Sequence, residues 1–155
     1  MEKTNVMRLL EQAKISYRPY CYVDTGAVNG MEVAEILGQN PDQVFKTLVT
    51  AGKTGRNYVF IIPVNRELDF KKAAACVHEK SIEMVKSKDL LKLTGYIHGG
   101  CSPIGMKKLF PTALDASADR FSTIFFSAGK IGYQVEVSPR DLAAMIPVIL
   151  FDLTV

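Results

Sequence analysis

The sequence lacks the features that would mark a secreted, disulfide-rich or membrane-spanning protein. Its 155 residues include only three cysteines and no Cys-x-x-Cys pair, so no disulfide framework is predicted. No apolar run approaches the roughly 18 residues of a membrane span. The N-terminal segment mixes charges into a helical pattern and has no apolar secretory region. We therefore expect a cytoplasmic protein.

A strong excess of one charge is also missing. Nineteen basic and sixteen acidic residues leave a formal net charge of +3, which is too small to predict a nucleic-acid partner by itself. Hydrophobic residues make up 48% of the chain, which is ordinary globular usage. We find no internal repeat or linker. Since a domain has roughly 150 residues, we expect a single domain spanning residues 1–155.

Motifs for nucleotide and metal chemistry are absent or weak. No Gly-x-Gly-x-x-Gly or Walker-type segment follows a predicted strand, which argues against dinucleotide and P-loop chemistry. Cys76, His78, His98 and Cys101 could supply four zinc ligands, but their spacing matches no common zinc pattern. We expect neither a metal nor a cofactor.

Apolar periodicity, capping residues and turn residues predict alternating helices and strands. Helices are expected at residues 6–13, 31–37, 70–79, 87–95 and 141–146. Strands are expected at residues 17–23, 44–51, 58–64, 96–98, 112–114, 123–127 and 133–137, with a β-prone C-terminal run. The glycine-containing loop between residues 51 and 58 predicts an antiparallel hairpin, and Pro19 indicates an edge strand. This pattern favours an α/β fold with a mixed sheet over a doubly wound one.

Lys46 is unusual because it lies in VFKTLV, a strand otherwise made of apolar and β-branched side chains. Alternation places it on one face with Val44 and Leu48, so its ammonium group emerges at a pocket or reaches around to solvent. One interpretation is an edge-strand charge that prevents aggregation. The other is a fixed positive charge at a binding site. The residues alone leave both open.

A glycine-rich stretch, GGCSPIGMKK at residues 99–108, is the second unusual feature. It predicts either a plain turn or a tight loop whose N–H groups converge on an anion or a carbonyl oxygen. Cys101 is a potential nucleophile, but no group can be assigned to orient a histidine toward it, and a structural thiol is the better interpretation. Ser127 lies in SAGKIG, which is either a simple hairpin turn or part of the same pocket.

Lysines cluster at residues 71–72, 86–92 and 107–108. Such clusters are usually solvated faces. A cluster that borders a pocket would be able to contact phosphates, and the sequence does not indicate which one does.

Three motifs together, VFKTLV, TGYIHGGCSPIGMKKLFPTALD and FFSAGKIGYQVEV, resemble the YbaK/ProX family of aminoacyl-tRNA deacylases. The resemblance extends over nearly the whole chain and is closest to the YbaK type, also called EbsC-like, which removes cysteine mischarged onto tRNA(Pro). It implies a mixed, largely antiparallel β-barrel-like sheet surrounded by helices, as in the editing domain of prolyl-tRNA synthetase.

The resemblance also implies roles for individual residues. Lys46 matches the family's essential lysine. Tyr22 and Ser127 fall at family pocket positions. Two residues depart from the pattern: Gln134 replaces an aspartate and Asn29 replaces an aromatic residue, so the accepted amino acid stays open. The loop that holds the aminoacyl end is implied to comprise Gly99, Gly100, Cys101, Ser102 and Pro103.

The mechanism implied for a cysteinyl ester is attack by the substrate's own thiol, which gives a cyclic thiolactone and frees the tRNA. The residues offer no assignable triad or general base, which is consistent with catalysis by positioning and electrostatics. Two alternatives remain: a ProX-like hydrolase of alanyl-tRNA(Pro) or another small aminoacyl-tRNA, and a non-catalytic module that binds tRNA or a synthetase. The expected partners are the aminoacyl-tRNA 3′ end and prolyl-tRNA synthetase, with neither DNA nor a membrane.

Overall fold

The computed structural model describes all 155 residues and contains eight strands and five helices. The strands are β1 (Arg18–Cys21), β2 (Phe45–Gly52), β3 (Asn57–Pro63), β4 (Ile82–Met84), β5 (Thr112–Asp115), β6 (Ile124–Ser127), β7 (Tyr133–Val137) and β8 (Val148–Phe151). The helices are α1 (Asn5–Gln12), α2 (Gly30–Leu37), α3 (Phe70–Val77), α4 (Ser87–Thr94) and α5 (Pro139–Met145). No helix exceeds eight residues, and none has the length and apolar character to cross a bilayer.

The strands form two sheets. A five-stranded sheet has the order β4-β2-β3-β5-β8, and a three-stranded sheet has the order β1-β7-β6. Pairing is antiparallel except at β3–β5 and β5–β8, which are parallel. The predicted mixed, largely antiparallel α/β architecture is therefore confirmed, and the two sheets are not closed into a barrel.

The main core joins both sheets to three helices. Side chains of β2, β3, β6 and β7 pack there with residues of α1, α4 and α5. Alternation along β3 sends Val59 and Ile61 into this core, whereas Phe60 and Ile62 point to the opposite face. That face is covered by the alanine-rich side of α3. The five-stranded sheet is thus buried on both sides at its centre.

Local capping signals account for the helix positions. The Thr4 hydroxyl accepts a hydrogen bond from the Met7 N–H at 3.3 Å, and the Asp69 carboxylate accepts from two N–H groups at the start of α3. Gly38 ends α2 in the left-handed conformation at φ 66°. The β2–β3 hairpin and the edge position of β1 are likewise confirmed.

The strand predicted at residues 96–98 is wrong. Tyr96 lies outside any strand: its N–H donates to the Thr94 hydroxyl at 3.0 Å, and its own hydroxyl donates to the Ile104 carbonyl oxygen at 2.5 Å. Strand β4, which pairs with residues 50–52 of β2, was not predicted from the sequence. At three residues, β4 is too short for a period-2 pattern to be read from the sequence.

Candidate active site

A cavity of about 290 Å³ opens between the two sheets, beside β2, β6, β7, α2 and α4. Of its 23 lining residues, 14 are hydrophobic. Sites of this kind bury the body of a small ligand and orient it through a few polar groups. The cavity is lined by no aspartate or glutamate. Any charge recognition inside it therefore depends on cationic or neutral groups.

Lys46 lines this cavity from β2, where it pairs in register with Ile62 of β3. Its side chain takes part in none of the ion pairs of the chain. All residues from 44 to 49 line the cavity, so it touches the edge of the strand and not one face alone. That edge is unpaired at Lys46 because β4 reaches only residues 50–52. The geometry thus places a lysine without an acidic partner on a rigid element at a cavity wall.

The glycine loop, residues 99–103, borders the cavity only in part. Gly99, at φ 88°, and Cys101 line it, whereas Gly100, Ser102 and Pro103 lie behind them. The Gly100 N–H donates to the Ile97 carbonyl oxygen at 3.0 Å. The buried Ser102 hydroxyl accepts from the Ile104 N–H at 3.3 Å. These bonds hold the loop in shape from its rear side.

Backbone N–H groups of this loop are free to bind a ligand. The N–H groups of Gly99 and Cys101 donate to no acceptor within the chain. Both residues line the cavity. Unpaired N–H groups beside a cavity are suited to an anion or to an oxygen that gains negative charge during a reaction.

Cys101 presents a thiol rather than a thiolate to the cavity. Burial raises the pKa of Cys101 from 9.0 to about 12, and a hydrogen bond with Thr94 opposes the rise only weakly. Because the thiolate is the nucleophilic form, this cysteine is a poor nucleophile near neutral pH. The structural interpretation made from the sequence agrees with this environment.

Ser127 and Asn29 also line the cavity, and both hold backbone in place. The Ser127 hydroxyl accepts from the Gly129 N–H at 3.1 Å, which shapes the β6–β7 turn. The Asn29 side chain caps α2: its Oδ1 accepts from the Glu32 N–H at 3.0 Å, and its Nδ2 donates to the Glu32 carboxylate at 2.8 Å. The Asn29 amide therefore already has hydrogen-bond partners. The family that the sequence resembles has an aromatic ring at this position.

Tyr22 and Gln134 complete the set of predicted residues that line the cavity. Tyr22 is buried, and this burial raises the pKa of its hydroxyl. Gln134 is 3% exposed and exchanges two hydrogen bonds with Gln39, a residue of the turn after α2. The structure thus brings together seven of the ten predicted residues: Tyr22, Asn29, Lys46, Gly99, Cys101, Ser127 and Gln134.

Several polar residues of the cavity wall were not predicted from the sequence. Thr47 lines the cavity, and its buried hydroxyl has no hydrogen-bond partner. Alternation assigns Thr47 to the opposite face from Lys46, so only the open strand edge brings it to the cavity. Ser87 and His98 also line the wall. His98 entered the sequence analysis only as a zinc candidate, and the structure contains no cluster of three or more His, Cys, Asp or Glu suited to a metal ion.

Comparison with known proteins adds an independent line of evidence. Residues 27–145 match the family model described as an aminoacyl-tRNA editing domain. The chain is 46% identical over 145 residues to EbsC of Enterococcus faecalis, a protein provisionally assigned as a Cys-tRNA(Pro)/Cys-tRNA(Cys) deacylase. This alignment covers 93% of the chain and 88% of that relative.

Two further similarities concern prolyl-tRNA synthesis. A proline–tRNA ligase of Thermosipho melanesiensis is 33% identical over 79 residues, which is 50% of this chain and 14% of the ligase. A crystal structure of a proposed trans-editing enzyme for prolyl tRNA synthetase superposes with a TM-score of 0.84 at 22% identity, and covers 99% of both chains. At this identity the superposition shows a shared fold.

Proposed function

Because the chain belongs to the aminoacyl-tRNA editing domain family, we propose that it is an aminoacyl-tRNA deacylase that acts on cysteinyl esters of tRNA(Pro) and tRNA(Cys). The relative EbsC, similar over most of both chains, supports this substrate class. One structural observation carries the proposal: Lys46 lines the same cavity as Gly99 and Cys101, whose N–H groups donate to no acceptor within the chain.

Deacylation needs a nucleophile at the ester carbonyl and a stabilised oxyanion. The cavity is lined by no carboxylate, and burial keeps the Cys101 thiol protonated. Besides the imidazole of His98, the cavity supplies one lysine ammonium and unpaired backbone N–H groups, which stabilise negative charge but do not remove a proton. The attacking group is therefore assigned to the substrate.

In a cysteinyl ester the attacking group is the substrate's own thiol. Loss of its proton gives a thiolate, which is intrinsically nucleophilic. The sulfur forms a bond to the ester carbonyl carbon, the bond to the 3′ oxygen of the terminal ribose breaks, and that oxygen takes up a proton. The products are a cyclic cysteine thiolactone and free tRNA, so no water is consumed in the cleavage step.

Each predicted residue has a role in this proposal. Lys46 orients the terminal phosphate or the carbonyl oxygen, and the N–H groups of Gly99 and Cys101 receive the developing oxyanion. Gly100, Ser102 and Pro103, which do not line the cavity, hold the loop in position. The remaining wall residues limit the size of the amino-acid side chain that can enter. They are Tyr22, Asn29, Ser127 and Gln134. A pocket of this kind discriminates one methylene by only about 10–200-fold.

The proposed partners follow from the substrate. The 3′ end of an aminoacyl-tRNA enters the cavity, and a prolyl-tRNA synthetase is the candidate protein partner that delivers it. Similarity to proline–tRNA ligases over half of the chain supports a function in the same step of translation. The small net charge of +3 makes assistance by a partner useful, because intrinsic affinity for tRNA is expected to be modest.

The proposal is tested with cysteinyl-tRNA(Pro), cysteinyl-tRNA(Cys) and alanyl-tRNA(Pro), with the released product identified by mass. We expect cleavage of the cysteinyl esters with formation of thiolactone, and no cleavage when the substrate thiol is methylated. Cleavage of the methylated ester or of the alanyl ester at a similar rate would contradict self-attack and favour a hydrolase. If no ester is cleaved but tRNA is still bound, the protein is a non-catalytic binding module.

A further inference from the structure

The two sides of the cavity carry opposite charges. The stretch from residue 86 to residue 108 includes α4 and contains five lysines and one acid. The stretch from residue 23 to residue 43 includes α2 and contains four acids and no lysine or arginine. Both stretches border the cavity, the first through Ser87, Leu90 and Gly99, and the second through Asn29, Gly30 and Val33.

The five lysines, which we call the lysine rim, are exposed and unpaired. They are Lys86, Lys88, Lys92, Lys107 and Lys108. None takes part in any of the ion pairs of the chain. Asp89, the one acid of this stretch, is half-buried on α4. The rim therefore keeps a net positive charge toward solvent.

The fold joins two sequence-separated groups of lysines into this rim. Lys88 and Lys92 lie one turn apart on α4, so both project from the same helix face. The Lys107 N–H donates to the Thr94 carbonyl oxygen at 3.0 Å, and its side chain packs beside Gly95 at the end of α4. Lysines from residues 86–92 and 107–108 are thus brought together beside α4, whose residues Ser87 and Leu90 line the cavity.

The lysines of α3 have a different environment, although their sequence pattern is similar. α3 packs on the far face of the five-stranded sheet and contributes no residue to the cavity. Lys72 is paired with Asp152 at 2.9 Å and also donates to the Thr154 carbonyl oxygen at 2.7 Å. Position relative to the cavity therefore distinguishes the lysine rim from the lysines of α3, of which Lys72 is also paired.

We propose that the lysine rim binds backbone phosphates of the tRNA acceptor strand whose 3′ end occupies the cavity. This inference rests on the proposed function. Exposed lysines gain affinity from phosphates by releasing counterions, and such contacts set the position of a nucleic acid without reading its sequence. The acidic side, with Asp24, Glu32 and Glu35 near α2, repels the same phosphates. The strand therefore leaves the cavity over α4.

The test compares two double charge reversals of equal size. The variant K88E/K92E alters the rim, and K71E/K80E alters exposed lysines in and just after α3. Their kcat/KM values on cysteinyl-tRNA(Pro) are measured from about 50 to 200 mM salt. We expect K88E/K92E to lose roughly 10–100-fold at low salt, mainly through KM, with its salt slope reduced by about 2. We expect K71E/K80E to stay within about two-fold of the unaltered protein.

A small ester separates phosphate contacts from damage to the active site. On 3′-O-cysteinyl adenosine, which lacks the acceptor strand, K88E/K92E is expected to keep its full rate. Equal losses on both substrates, or equal losses in both variants on tRNA, would overturn the inference. Fluorescence anisotropy with uncharged tRNA tests the rim even if no ester is cleaved. If the unaltered protein binds tRNA through the rim but cleaves no ester, the deacylase function is refuted. The inference that the rim binds phosphates would still hold.

Discussion

Gln39 and Gln134 exchange two hydrogen bonds at the wall of the cavity. The Gln39 Nε2 donates to the Gln134 Oε1 at 2.7 Å, and the Gln134 Nε2 donates to the Gln39 Oε1 at 3.0 Å. Gln134 is nearly fully buried, so this exchange satisfies an amide that would otherwise be costly to desolvate. The wall is therefore neutral at the position where the resembled family has an aspartate.

Removal of one member of this pair should destabilise the protein more than removal of both. Gln39→Ala leaves the buried Gln134 amide without a partner, at a cost of about 1–3 kcal/mol in the free energy of unfolding. Gln39→Leu combined with Gln134→Leu leaves no orphaned polar group and is expected to cost less. Urea unfolding of the variants checks this order, with the exposed Gln12→Ala as control. A smaller loss in Gln39→Ala than in the double variant would contradict the pairing.

Lys46→Ala is expected to lower kcat/KM for deacylation by at least about 100-fold, because the cavity has no second lysine or arginine to stabilise negative charge. Stability should change by less than about 1 kcal/mol, since Lys46 is only half-buried and makes no ion pair. Steady-state kinetics and urea unfolding measure the two effects. Lys71→Ala, on the far side of the molecule, serves as the matched control. Unchanged turnover by Lys46→Ala on every ester would remove Lys46 from the site.

Cys101→Ser should keep substantial activity. With its pKa raised to about 12, the Cys101 thiol stays protonated at pH 7. Complete inactivation, with fold retained by circular dichroism, would instead identify an enzyme nucleophile. Alkylation mapped by mass spectrometry supplies a second readout, since the exposed Cys21 is expected to react before Cys101, whose pKa is raised.

The same thiol makes the fold sensitive to alkaline pH. The pKa of Cys101 is higher in the folded protein than its ordinary value of 9.0, so folding favours the protonated form. This contribution is complete below pH 9 and is lost as the pH rises toward 12. Burial likewise raises the pKa of Tyr96 to about 12, which adds to the loss above pH 10. The midpoint urea concentration of unfolding should fall between pH 8 and pH 10.5. The fall should be smaller in Cys101→Ser than in the unaltered protein.

The pH dependence of cleavage tests whether the substrate supplies the nucleophile. With no carboxylate lining the cavity to act as base, kcat/KM should rise with pH up to the pKa of the substrate thiol, near 8.5 for free cysteine, and then level off. The measurement is a rate profile from pH 6 to 9, since deacylation in that range does not require the Cys101 thiolate. A pH–rate profile that changes its shape in His98→Ala would show that His98, and not the substrate alone, handles the proton.

Local sequence signals were sufficient for most of the secondary structure. Thr4 and Asp69 begin their helices and Gly38 ends one, because a cap acts through residues only a few positions away. The glycine-containing loop likewise predicts the β2–β3 hairpin from its own conformational preferences. The resemblance predicted that Lys46 lies at a binding site. The residues of its strand alone also allowed a role as an edge-strand charge.

Tertiary structure alone decided the features that depend on distant residues. Gln39 finds Gln134 across 95 positions of sequence, and the parallel pairing of β3, β5 and β8 joins strands with no local signal for their order. The open edge of β2 brings Thr47 to the cavity beside Lys46, which strand alternation had excluded. Helix packing selects the lysines near α4, not those of α3, as neighbours of the cavity. Sequence periodicity predicts which face of a helix or strand is buried. A site, however, depends on long-range contacts, because tertiary packing determines which residues lie next to that face.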